Sequence, residues 1–165
     1  MMCTDNVDQK NYAKPETVFQ KYADTVYRLA FVRTGSRSYS DDILQEVFLR
    51  YMKVWRKMES EEHVKATLIR ITVNCSNSLL SSFWFKKTDP LDENILVTDN
   101  NTAESALSEV LRLPVKYRTV IHLHYYMGYS VAEIAELTKT NPSTVKTRLA
   151  RARGQLKKTL EAEDL

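Results

Sequence analysis

Residues 129–160 read YSVAEIAELTKTNPSTVKTRLARARGQLKKTL, and this stretch decides how the C-terminal part of the chain folds. It contains two helix-start signals. Ser130-Val131-Ala132-Glu133 fits a capping box, in which the serine oxygen accepts from the amide three residues on and the glutamate reaches back. Asn141-Pro142 supplies an N-cap followed by proline at the first helical position. The stretch therefore predicts a helix-turn-helix whose turn is Thr138-Lys139-Thr140.

The second helix combines an apolar stripe with a basic remainder. Its stripe is expected to face a core, since its members recur at helical spacing: Val145, Leu149, Ala152 and Leu156. Between Leu137 and Leu160 there are seven lysines or arginines and no acid. This excess of positive charge suits a helix that enters a DNA groove lined by phosphates. The alternative is an ordinary surface helix with a solvated basic face.

The side opposite the stripe carries small, hydroxylated and cationic residues: Ser143, Thr147, Ala150 and Arg151, flanked by Lys146 and Arg148. Small side chains let a helix approach base edges, and arginine pairs bidentately with guanine. Arg151 is therefore the candidate base reader. Phosphate contacts, which fix register without reading sequence, are expected from Lys139, Arg153, Lys157 and Lys158.

The N-terminal half is predicted to form three helices. The first has apolar residues at helical spacing from Val18 to Leu29 and is interrupted at Thr34-Gly35-Ser36. Ser40-Asp41-Asp42 is interpreted as the N-cap and first turn of the second helix, which is expected to reach about Trp55. Ser60-Glu61-Glu62 marks the start of the third.

Together with these helices, the rest of the sequence predicts an all-α fold of two small helical domains, 14–87 and 103–162, joined by a flexible acidic linker at 88–102. From Thr88 to Ser105 the chain has five acids, one proline and no lysine or arginine. Beyond it, a short helix is expected to stop before Pro114. A second is expected at Lys116–Met127, with Tyr125 among its apolar positions and Gly128 after its end.

Several function classes are excluded by composition and motif. The chain has 165 residues, a net charge of +3 and only two cysteines, without metal-ligand spacing. His122 and His124 fall on different helix faces, which argues against a zinc site. No P-loop or nucleophile elbow occurs. The polar N-terminus carries no secretory signal. We expect a cytoplasmic protein that is not an enzyme and has no metal, cofactor or small-molecule ligand.

Two motifs resemble the bacterial sigma-70 family, specifically sigma factors of the extracytoplasmic function (ECF) type. SDDILQEVFL at 40–49 resembles the polymerase-binding helix of region 2, and TVKTRLARAR at 144–153 resembles the recognition helix of region 4. The resemblance covers residues 18–160. It implies binding to core RNA polymerase, through the β′ clamp helices and the β flap, and to promoter DNA. It also implies an anti-sigma factor, which in this family is often anchored in the membrane.

The resemblance assigns residues to three surfaces. Core polymerase is expected to contact Asp42, Gln45 and Glu46. The melted −10 strand is expected to contact Lys65, Arg70, Asn74, Ser78, Ser81, Lys86 and Lys87. The −35 duplex is expected to contact Lys139, Ser143, Thr144, Lys146, Thr147, Arg148, Arg151 and Arg153.

The chain departs from the family pattern at four positions. An aromatic residue is usual near Thr67, an acid near Ser78 and a basic residue near Ser81, so we expect weaker capture of the melted strand. Lys139 stands where the family has a turn glycine, and a positive φ there costs roughly 1 kcal/mol. Two alternatives use the same residues differently: a stand-alone helix-turn-helix regulator, and a protein-interaction adaptor that never touches DNA.

Overall fold

A computed structural model describes residues 10–86 and 102–163, except the side chains of residues 83–86, 102–105, 160, 162 and 163. Within these ranges the chain forms seven α-helices: α1 (Pro15–Thr34), α2 (Arg37–Val54), α3 (Glu61–Lys86), α4 (Thr102–Leu111), α5 (Val115–Ile121), α6 (Val131–Leu137) and α7 (Pro142–Glu163). The predicted all-α fold is confirmed. Residues 88–101, which hold nearly all of the predicted linker, lie outside the described part.

The chain divides into two compact units. Of the described residues, the first holds 10–30 and 37–86, and the second holds 31–36 and 102–163. None of the helices in the described ranges has both the length and the apolar character needed to cross a membrane.

The first unit is organised around apolar faces of α1, α2 and α3. Their helical spacing brings these residues into one cluster: Val18, Tyr22, Val26, Ile43, Val47, Tyr51, Val64 and Leu68. Tyr51 is fully buried, and its hydroxyl donates to the Ala13 carbonyl at 2.6 Å. Burial raises the pKa of Tyr51 to about 12. Its phenol therefore stays protonated and keeps this bond at physiological pH.

Helix α3 also buries hydroxyl groups. The Thr72 hydroxyl donates to the Leu68 carbonyl at 2.7 Å, and the Ser76 hydroxyl donates to the Thr72 carbonyl at 2.9 Å. Because each hydroxyl bonds the preceding turn of its own helix, neither is left unsatisfied in the core. Cys75 is a buried free thiol whose pKa is raised chiefly by desolvation. It is thus a packing residue.

The predicted start of α2 is wrong by about one turn. Helix α2 begins at Arg37, and Ser40 lies inside it, fully buried. Gly35 adopts a left-handed φ of 66° after α1, so the chain has already turned when it reaches Arg37. Asp41 and Asp42 consequently occupy the second helical turn, and the first turn holds no acid.

The second unit packs α4 to α7 together. Its buried apolar residues come from every helix and the intervening turns: Leu111, Leu113, Tyr117, Val120, Ile121, Leu123, Ile134, Leu137, Val145 and Leu149. Helices α6 and α7 contact each other, and α7 also packs on α5. Arg118 is buried within this unit and donates to the Leu111 carbonyl at 3.1 Å. Burial lowers the pKa of its guanidinium.

The helix predicted at Lys116–Met127 is α-helical only in its first half. From His122 to Tyr126 it continues as a π-helical turn, which holds more residues per turn. This changes which residues face inward: Leu123 is fully buried, whereas Tyr125 is 56% exposed. Tyr125, which the sequence puts among the apolar positions of this helix, therefore does not face the core. Gly128 follows with a φ of 77°, which confirms its role in ending the helix.

Candidate nucleic-acid and polymerase interfaces

The helix-turn-helix has the local bonds that its sequence predicts. At the start of α6, the Glu133 amide donates to the Ser130 hydroxyl at 3.2 Å, and the Ser130 amide donates to the Glu133 carboxylate at 3.0 Å. At the start of α7, the Thr144 amide donates to the Asn141 side-chain oxygen at 2.8 Å. The capping box and the asparagine cap are both confirmed, so both helix starts are fixed by short-range hydrogen bonds.

The turn between α6 and α7 contains a strained lysine. Lys139 has a φ of 54°, and among the described residues it alone has a positive φ without being glycine. The flanking threonines hold the turn: the Thr138 hydroxyl donates to the Ile134 carbonyl at 2.7 Å, and the Thr140 amide donates to the Ala135 carbonyl at 2.9 Å. The expected positive φ is confirmed. The exposed Lys139 ammonium is thus carried at the tip of a rigid turn.

Helix α7 separates an apolar side from a polar one. Val145, Leu149 and Ala152 are at most 1% exposed, and Leu156 is half-buried. The predicted −35 residues lie outside this stripe: Ser143, Lys146, Thr147, Arg151 and Arg153 are exposed, and Thr144 and Arg148 are half-buried. The Ser143 hydroxyl donates to the Asn141 side-chain oxygen and the Thr147 hydroxyl donates to the Ser143 carbonyl, so the exposed side offers hydroxyl acceptors and cations to an external partner.

One contact of this surface has no local sequence signal. The guanidinium of Arg153 donates to the Tyr125 hydroxyl at 2.8 Å, although the residues are 28 apart in the chain. The sequence marks Arg153 as a phosphate contact and puts Tyr125 among the apolar positions of its helix. Packing of α7 on α5 brings the two residues together.

The predicted polymerase-binding residues occupy the solvent-facing side of α2. Asp42, Gln45 and Glu46 are all exposed. The Glu46 carboxylate accepts from the Arg50 side chain at 2.7 Å, and this hydrogen bond raises the pKa of Arg50. Such an exposed pair at a spacing of four residues adds only a few tenths of a kcal/mol to stability. The acids are therefore little constrained and available to a partner.

Sequence reasoning missed an apolar residue on the same side of α2. Leu49 follows Gln45 and Glu46 by one helical turn and is 58% exposed. Met52 is exposed to the same extent. The ring of Phe19, another exposed apolar residue, meets that of Phe48 edge-on at 4.9 Å. The surface of α2 thus combines acids with exposed apolar side chains, as protein-binding surfaces do.

Four of the predicted −10 residues share one side of α3. Arg70, Asn74, Ser78 and Ser81 succeed one another at helical intervals. Asn74, Ser78 and Ser81 are exposed, and Arg70 is half-buried. The Ser78 hydroxyl donates to the Asn74 carbonyl at 3.2 Å, and its lone pairs remain available to accept. This side of α3 therefore presents a polar strip with one cation.

The remaining −10 candidates are not brought together with this strip. Lys65 lies about 180° around α3 from Asn74, on the side of the buried residues, and is half-buried. The side chain of Lys86 and all of Lys87 lie outside the described residues. Within the described part of α3, the polar strip therefore relies on Arg70 for its positive charge.

Comparison with known proteins decides the family. Two family models match: sigma-70 region 2 over residues 18–82, and sigma-70 region 4 over residues 103–156. The ECF RNA polymerase sigma factor SigW of Bacillus subtilis (strain 168) is 31% identical over 161 residues, covering 84% of this chain and 84% of SigW. The chain belongs to the sigma-70 family, as an ECF sigma factor. It directs promoter-specific initiation, and the stand-alone regulator is not favoured.

Two further similarities agree with this membership. The RNA polymerase sigma factor SigZ of Bacillus subtilis (strain 168) is 30% identical over 138 residues, covering 78% of this chain and 77% of SigZ. The sigma factor RpoE of Bartonella quintana, solved in complex with the anti-sigma factor NepR, superposes with a TM-score of 0.76. That match covers 88% of this chain and 96% of RpoE at 16% identity, and it supports the fold. Sigma factors are regulatory, non-catalytic proteins.

Proposed function

We propose that this sigma factor reads the −35 element as duplex DNA with α7, captures the melted −10 strand with α3 and binds core polymerase with α2. The domains assigned to these tasks are 103–162 for the −35 element and 14–87 for polymerase and the −10 strand, joined by a linker at 88–102. The observation that carries the proposal is the division of α7 into a buried stripe and an exposed, cationic side.

On the −35 duplex, we assign base reading to Arg151 and support to the residues around it. Arg151 is exposed on the side of α7 opposite Val145 and Leu149. Ser143 and Thr147 flank it with short side chains, which let the helix lie deep in the major groove. Phosphate contacts are assigned to Lys139, Lys146, Arg148 and Arg153, and Thr144 lies at the helix start, where backbone amides suit a phosphate.

Polymerase binding is assigned to the exposed side of α2. Asp42, Gln45 and Glu46 are proposed to meet basic residues of the β′ clamp helices, with Leu49 supplying apolar contact at the centre. Charge complementarity selects the partner and speeds association, while burial of an apolar side chain lowers the dissociation rate. We also propose that the second unit contacts the β flap, as the resemblance to the family implies.

Capture of the −10 strand is assigned to the polar strip of α3. Arg70 is proposed to follow the backbone, and Asn74, Ser78 and Ser81 to hydrogen-bond unstacked bases, with Lys65, Lys86 and Lys87 as the further cations of the prediction. Single-strand binding normally combines several cations with aromatic stacking. Because the described strip holds one arginine and no aromatic residue, we expect strand capture to depend on melting by the bound polymerase.

We also propose an anti-sigma partner for this chain. RpoE of Bartonella quintana forms such a complex with NepR. In this chain, the exposed Leu49 and Met52 of α2 are the surface such a partner would cover, and covering them would block polymerase. The proposed place of action is the cytoplasm, where polymerase and promoter DNA meet.

The test is in vitro transcription with purified core polymerase across a promoter library, followed by mapping of start sites. The expected result is initiation at a small set of start sites that share a −35 and a −10 element. Polymerase with no added sigma factor and polymerase with the Asp42→Arg variant are the controls. Absence of promoter-specific initiation, with core polymerase shown to be active with another sigma factor, would overturn the proposal.

A further inference from the structure

The contact between Tyr125 and Arg153 joins two exposed side chains on the proposed DNA-binding side of the second unit. Tyr125 is 56% exposed, and Arg153 is exposed beside it. Neither side chain is therefore held in place by burial in a core. Their hydrogen bond, at 2.8 Å, instead orders an arginine that would otherwise sample many rotamers.

The Tyr125 ring is itself held in place. The imidazole of His124 meets it edge-on, with 4.8 Å between ring centroids and 81° between planes. Nδ1 of His124 lies 2.8 Å from the Tyr129 carbonyl oxygen. Because a carbonyl only accepts hydrogen bonds, Nδ1 carries the proton and donates it there. A chain of contacts thus runs from the backbone at Tyr129 to the guanidinium of Arg153.

The position of Arg153 on α7 indicates what the ordered side chain can bind. Lys146, Arg153 and Lys157 are seven and four residues apart, which places them along one side of the helix. That side lies between the buried stripe and the side that carries Arg151. Cations in a row beside a groove-binding helix are suited to successive backbone phosphates, which fix the register of base reading.

We propose that Tyr125 is a positioning residue for Arg153 and that the pair binds the DNA backbone beside the −35 helix, an inference that rests on the proposed function. The Tyr125 hydroxyl accepts from Arg153 and keeps its own proton to donate to a phosphate oxygen. Arg153 retains its other N–H groups for the same phosphate or its neighbour. Ordering both groups before binding reduces the entropy lost on binding.

The experiment is a double-mutant cycle on polymerase holoenzyme bound to a promoter found by start-site mapping. Tyr125→Phe removes the hydroxyl and is expected to weaken binding about fivefold without altering the salt dependence, since no charge is lost. Arg153→Ala is expected to weaken binding about tenfold and to reduce the slope of log K against log salt by about one. In the Arg153→Ala background, Tyr125→Phe is expected to weaken binding by less than in the wild type, because only the phosphate contact of Tyr125 itself is then lost.

The matched control is Tyr126→Phe. Tyr126 is 57% exposed, but its ring stacks on His122 at 4.8 Å. We expect this variant to bind DNA as the wild type does. Full additivity of Tyr125→Phe with Arg153→Ala would overturn the positioning role, as would unchanged or tighter binding by Tyr125→Phe. Failure of the wild type to initiate at specific promoters would instead overturn the proposed function, so the two failures are distinguishable.

Discussion

Replacement of Lys139 by glycine is expected to change stability and DNA binding in opposite directions. Lys139 is exposed and has a φ of 54°, so removing its side chain costs little packing and relieves left-handed strain of about 1–2 kcal/mol. Glycine also gives the unfolded chain more conformational freedom, which reduces the gain in the free energy of unfolding by about 0.5–1 kcal/mol. The Lys139→Gly variant should therefore be more stable by about 0.5–1 kcal/mol.

The assay for stability is urea unfolding of the full chain, with amide hydrogen exchange in α6 and α7 to assign the change to the second unit. At a slope of about 1–3 kcal/mol per molar urea, the midpoint should rise by a few tenths molar. DNA binding should weaken, because a phosphate contact is lost, and the salt slope should fall by about one.

Lys139→Ala separates charge from strain. It removes the same ammonium but keeps the Cβ atom, so it should bind DNA as weakly as Lys139→Gly and gain no stability. A glycine variant that is less stable than wild type, or no more stable than the alanine variant, would refute the strain argument. Wild-type affinity and salt slope in both variants would refute the phosphate contact.

Three further changes test other parts of the molecule. Arg151→Ala should weaken −35 binding by about 1–3 kcal/mol and make one base position tolerant of substitution in a duplex panel; unchanged base preference would exclude it as the reader. Asp42→Arg should lower affinity for core polymerase about tenfold or more while the full chain still binds duplex DNA, and normal assembly with polymerase would refute the α2 interface. Ser130→Ala should destabilise the second unit by about 0.5–2 kcal/mol in urea unfolding, and no loss would show that the capping box is dispensable.

The parts of the site that sequence reasoning reached are those built from neighbours in the chain. Ser130 with Glu133, and Asn141 with Thr144, are three residues apart, so their hydrogen bonds follow from residue type and spacing. The left-handed φ of Lys139 follows instead from the resemblance, because Lys139 stands where the family has a turn glycine.

The errors fall where a distant contact or a change of helix type outweighs local preference. Ser40 has the residue type of an N-cap, but Gly35 turns the chain earlier and Ser40 is buried inside α2. Tyr125 has the spacing of a core residue, but the π-helical turn rotates it outward.

The sequence by itself determined the helical architecture, the two capped starts of the helix-turn-helix and the absence of acids from residues 137–160, since these depend on residue type and short spacing. Tertiary structure alone decided that Leu49 is exposed on α2 and that Tyr125 reaches Arg153. Both outcomes depend on which helix faces are covered by others. Packing between residues far apart in the chain sets that coverage, and periodicity within one helix does not encode it.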